Sequence, residues 1–68
     1  MVNVSKLKGK IVESGYSIAE LSYKIGIDKA TFYRKLNSNG ENFSVREANA
    51  IVKELKMNGE EAVSIFFA

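Results

Sequence analysis

The chain has 68 residues, with ten Lys/Arg against eight Asp/Glu, no cysteine and no histidine. One small, marginally stable domain is expected, without disulfides or thiolate metal sites and without the commonest metal ligand and general base. The hydrophobic share of 46% suffices for a folded core, and no stretch approaches the roughly 18 continuous apolar residues of a membrane span.

The first expected element is a helix from about Asn3 to Ser14, with Val4, Leu7 and Ile11 on one face. Gly15 suits the left-handed residue that ends a helix. Gly9 lies inside this element and costs about 1 kcal/mol against alanine; it either permits close helix packing or is a tolerated weak spot. Lys6, Lys8 and Lys10 alternate and share no helix face, so solvation is their expected role. No 7–15-residue apolar run follows them, so no signal peptide is read and a cytoplasmic location is expected.

The second helix is expected from Ser17 to Ile25. Ser17 and Glu20 have the spacing of a capping box, and Ile18, Leu21 and Ile25 form the buried stripe, with small Ser22 on the same side. Tyr16 and Tyr23 read as aromatics on the core rim. Gly26 ends the helix and Ile27 plugs the turn. The third helix starts at Asp28 as N-cap, runs to Asn37 and points Phe32 and Leu36 inward. Residues 37–42 form a loop by composition, and Phe43 sits where a hydrophobic staple belongs.

The fourth helix opens on a second capping box, Ser44 and Glu47, with Val45, Ala48, Ile51, Val52 and Leu55 as its apolar face. The fifth is capped by Asn58 and carries Glu60 and Glu61 in its first turn, where they suit the positive end of the helix dipole. Ala62, Val63, Ile65, Phe66 and Phe67 make it almost wholly apolar. Phe66 and Phe67 diverge by about 100° on a helix, so one is core and the other is free for a dimer partner. The expected fold is an all-α, compact five-helix bundle.

Function is carried by residues 17–37, "SIAELSYKIGIDKATFYRKLN". Two helices joined by a short glycine-containing turn form a helix-turn-helix. Ser22 supplies the small residue at the crossing, and Leu21, Ile25, Ile27 and Phe32 lock it. Lys29, Ala30, Tyr33 and Arg34 then share one outward face. As an isolated charge cluster, Lys29, Arg34 and Lys35 would be a solvated surface; within this frame they read as DNA contacts. Charge agrees: residues 1–37 carry seven basic and three acidic side chains, residues 38–68 three and five, so the first half suits an anionic partner.

These residues, with "FSVREANAIVKELKMNGEEAVSIFF", resemble the Cro/CI-type (lambda-repressor-like) helix-turn-helix regulators of phages and bacteria, over essentially the whole chain. Ile18 stands where the family often has glutamine, and Ser22 where it usually has alanine. The resemblance implies a sequence-specific double-stranded DNA-binding regulator, a Cro-like repressor, with the third helix in the major groove. It places base reading on Lys29, Ala30, Tyr33 and Arg34, residue types able to meet guanine acceptors or a thymine methyl. It places backbone contacts on Ser17, Thr31, Lys35, Asn37, Asn39, Asn42 and Arg46. The expected partners are a near-palindromic operator and a second copy, joined through Phe66 and Phe67. No cofactor, metal, membrane or small-molecule substrate is expected, and no nucleophile is paired with a base, so the chain does not read as an enzyme. The alternative is a helical protein-interaction module, antirepressor-like or antitoxin-like, that uses the same fold without DNA.

Overall fold

A computed structural model describes residues 2–38 and 43–67. Its helices are α1 (Val4–Glu13), α2 (Ile18–Ile25), α3 (Lys29–Asn37), α4 (Val45–Glu54) and α5 (Gly59–Phe66), with no strand among the described residues. None is long and apolar enough to cross a membrane.

Local chemistry sets where each helix starts. Asn3, Ser17, Asp28, Ser44 and Asn58 are the N-caps, and each side chain accepts a backbone N–H of the first turn. At α2 and α4 the capping is reciprocal, as their Ser-x-x-Glu spacing predicts. A third reciprocal box, Asn58 with Glu61, opens α5. The dipole role assigned to Glu61 covers only part of what it does.

Three helices end alike. The N–H of Tyr16 donates to the Ile11 carbonyl at 3.2 Å, that of Ile27 to Ser22 at 3.0 Å, and that of Met57 to Val52 at 3.0 Å. Each bond closes a Schellman turn through a left-handed residue. Gly15 (φ 82°) and Gly26 (φ 77°) fill two of these positions, and Lys56 (φ 53°) fills the third.

The core is Leu7, Ile11, Leu21, Phe32, Leu36, Ile51, Leu55, Met57, Ile65 and Phe66. α2 packs on α3 and α4, and α1 lies against α5. The Asn3 N–H donates to the Ile65 carbonyl at 2.6 Å, tying the start of α1 to the last helix. Phe43 stands edge-on to both Phe32 and Phe66, with ring centroids 5.7 and 6.4 Å away. It therefore bridges α3 and α5 across the core, a geometry favoured by ring quadrupoles. Ser22 is the buried polar residue; its hydroxyl donates to the Ala19 carbonyl at 2.9 Å, so a small side chain fits the packed face with no polar atom left unpaired.

Several expectations are corrected. Val45 is 73% exposed rather than part of the α4 stripe: at the first helical position its side chain tilts toward the N-terminus, past the packed turns. Tyr23 is 85% exposed and leaves the core rim to Tyr16. Gly9 permits no close packing, because a Cβ there would meet nothing within 4 Å. α5 is apolar, yet Val63 and Phe67 lie outside.

Candidate nucleic-acid interface

α3 is fixed at its start and along its inner side. The Asp28 carboxylate accepts the N–H groups of Ala30 at 3.1 Å and Thr31 at 3.3 Å. Phe32 and Leu36 sink into the core. Their burial turns Lys29, Ala30, Tyr33 and Arg34 to the exposed side together. Among the described residues no carboxylate lies within 4.0 Å of Lys29 or Arg34. The face therefore carries two cations, one methyl and one phenol, none of them held by a side-chain partner among the described residues.

The residues assigned to backbone contacts fall into separate groups. Ser17 and Asn37, together with Tyr33 of the outer face, line one depression of about 370 Å³ between α1, the start of α2 and α3. Its floor is aliphatic, from Ile11, Ile18 and Leu36, and Lys8 stands on its rim. Lys8 was read as solvated; only the packing of α1 beside α3 brings it to this place. Thr31 is half-buried beside this outer face. Arg46 is exposed and borders the Gly26–Ile27 turn from α4. Asn39 and Asn42 lie outside the described residues.

Lys35 is placed differently from Arg34. Its ammonium donates to both oxygens of Glu47, at 2.6 and 2.8 Å, and lies 5.9 Å from the centre of the Phe43 ring. It faces α4 as a charge-assisted tie between helices and is not presented with Arg34. Burial raises the Glu47 carboxyl, but the Lys35 ammonium and the N–H of Ser44 outweigh that and hold it below its usual range.

The start of α2 is also occupied. Glu20 accepts the Ser17 N–H at 2.9 Å, and this backbone bond holds its carboxyl below the usual range. A phosphate approaching this helix end therefore meets the Ser17 hydroxyl together with a carboxylate. On the far side, Lys10 reaches Glu61 at 2.7 Å and Glu13 at 3.1 Å, and those two bonds raise its ammonium. The Tyr16 hydroxyl donates to Glu54, which pushes that phenol up. Phe66 is core and Phe67 is 71% exposed, so only Phe67 of the pair is available to a partner. Among the described residues, no group of three or more acidic side chains could hold a metal ion.

Comparison of the chain with protein families, with characterised proteins and with solved structures finds no match.

Proposed function

We propose that the chain is a sequence-specific double-stranded DNA-binding regulator of the lambda-repressor-like type, a Cro-like repressor that inserts α3 into the major groove. The observation that carries this reading is the outer face of α3. Lys29 and Arg34 stand there exposed beside Ala30 and Tyr33, on a helix whose opposite side is anchored in the core. Arginine and lysine donate to guanine O6 and N7, and an alanine methyl meets that of thymine. Ser17, Thr31, Asn37 and Arg46 contact the flanking phosphates, whereas Lys35 is committed to Glu47. Val63 on α5 and Phe67 just past its end, both exposed, support a homodimer through this end. Such a dimer reads a near-palindrome with half-sites about 34 Å apart. Binding falls steeply with salt as phosphate neutralisation releases counterions.

The same Val63–Phe67 patch favours the second reading, a protein-interaction module that binds no DNA. Selection of bound fragments from random duplex DNA decides between them. An enriched palindrome supports the regulator. No enrichment at low salt eliminates it.

A further inference from the structure

Two depressions adjoin between α2 and α4. One, of about 540 Å³, is bordered by Gly26, Ile27 and Arg46; the other, of about 420 Å³, by Lys24, Lys53 and Lys56. Ile25 and Ala50 line both, so the two make one groove along α4. Its charge is positive on balance. Among the described residues, none of Lys24, Arg46, Lys53 and Lys56 has a carboxylate within 4.0 Å. Of the two acids on its walls, Glu47 is paired with Lys35, whereas Glu54 accepts from the Tyr16 hydroxyl and keeps its negative charge, so four cations outweigh it.

Helix electrostatics accounts for part of this pattern. Lys24 and Lys53 sit in the last turns of their helices, where a cation suits the dipole. Arg46 does not: it is the second residue of α4, at the positive end. Lys56 does not either: it holds a left-handed conformation (φ 53°) that glycine fills at the ends of α1 and α2. Both side chains border the same groove, and the left-handed backbone of Lys56 is an outlier of the kind that points to a role.

We propose that this groove receives an acidic helical segment of a partner protein. Its carboxylates meet Arg46, Lys53 and Lys56, and its apolar side chains lie over Ile25, Ile27 and Ala50. From Arg46 to Lys53 the cations span about 10 Å along α4 at 1.5 Å per residue, or nearly two helical turns, and Lys56 extends the row beyond the helix end. That is the reach of an amphipathic helix laid in a groove. The half-buried aliphatic floor favours a protein segment over a nucleic-acid strand, which would stack its bases on aromatic rings that this groove lacks. The proposal does not rest on DNA recognition by α3; Arg46, assigned above to a phosphate, is the one side chain for which the peptide and a duplex would compete.

The test is an NMR titration of the isotope-labelled full chain with a synthetic amphipathic helix of about 14 residues, leucine on one face and glutamate flanking it. Amide shifts are expected at 24–27 and 44–56. Binding is expected to weaken at least about tenfold for the glutamine version of the peptide and for the Arg46→Glu/Lys53→Glu variant. Lys56→Gly is the sharpest variant, because it relaxes the backbone while removing a charge. It should melt at a higher temperature and bind the peptide several-fold more weakly. The proposal is overturned by no binding up to roughly millimolar peptide, by equal binding of the glutamine peptide, or by unchanged binding of Lys56→Gly. Duplex DNA that shifts these same residues, with the peptide leaving them unmoved, would instead assign the groove to nucleic acid.

Discussion

The inner and outer faces of α3 share one N-cap and nine residues, yet they treat charge oppositely. Arg34 and Lys35 are adjacent in sequence and rotated about 100° apart. Arg34 is exposed with no carboxylate partner among the described residues, while Lys35 is clamped by both oxygens of Glu47 and lies over the ring of Phe43. The value of a cation here is set by what lies across from it. Composition and residue type do not distinguish the two; the position of α4 does.

The largest expected effect breaks the inner face. Phe32 is fully buried and packs edge-on to Phe43, so Phe32→Ala should cost about 3–5 kcal/mol. A chain of 68 residues has only about 3–10 kcal/mol in total. Denaturant melting should find this variant largely unfolded, and Phe32→Leu should keep a cooperative but earlier transition. A melt indistinguishable from the parent would mean that Phe32 does not anchor α3.

The outer face should respond in binding and not in folding. Arg34→Ala should lose about 1–3 kcal/mol of operator affinity at fixed salt and relax discrimination at one base position. Its unfolding free energy should stay within about 0.5 kcal/mol of the parent. Unchanged affinity at equal salt would remove Arg34 from the reading face.

Lys35 and Glu47 sharpen the contrast from the middle. Lys35→Met keeps the apolar stem over Phe43 and removes the charge. It should cost about 1 kcal/mol of stability and leave the salt slope of DNA binding unchanged; a slope reduced by about one would restore Lys35 to the phosphate contacts. Glu20, Glu47 and Glu61 all have folded-state carboxyls held below the usual 4.5. Their contribution is complete above that value and fades as pH falls through their lower folded values. Lys10 and Tyr16 are raised above 10.5 and 10.0, so their contribution is complete below those values and is lost in more alkaline solution. Thermal melts should therefore be level from about pH 5 to 9 and decline on both sides. In Glu47→Gln the acid limb should shrink. A limb of parental depth would separate Glu47 from the acid transition.

Much of the bundle is legible in the residues because its signals are local. Ser17–Glu20, Asp28 and Ser44–Glu47 mark helix starts within a few residues, and Gly15 and Gly26 mark ends. Lys56 was not legible as a helix end, since lysine carries no left-handed preference and Met57 fixes the turn through its N–H to Val52. The outward set Lys29, Ala30, Tyr33 and Arg34 follows from helical spacing once Phe32 and Leu36 are placed inside. The fates of Lys8, Lys10 and Lys35 depend on contacts between segments far apart in sequence. Lys10 meets Glu61 across 51 positions, and no spacing rule within one helix reaches that far.

The smallest effect is expected at Gly9, and it contrasts with Gly26, which composition treats alike. Gly26 has φ 77°, and the turn into α3 is built through it, so a Cβ there is strained even though no neighbouring atom is close. Gly9 is mid-helix, exposed, and equally open around its would-be Cβ. With space free at both sites, backbone conformation alone fixes the sign. Gly9→Ala should stabilise by about 0.5–1 kcal/mol, because alanine restricts the unfolded chain without strain in the helix. Gly26→Ala should destabilise by about 1–2 kcal/mol. Should Gly9→Ala fail to raise the melting midpoint, α1 would owe something to Gly9 beyond tolerance, and its open surface would then be the place to seek a contact made only in a complex.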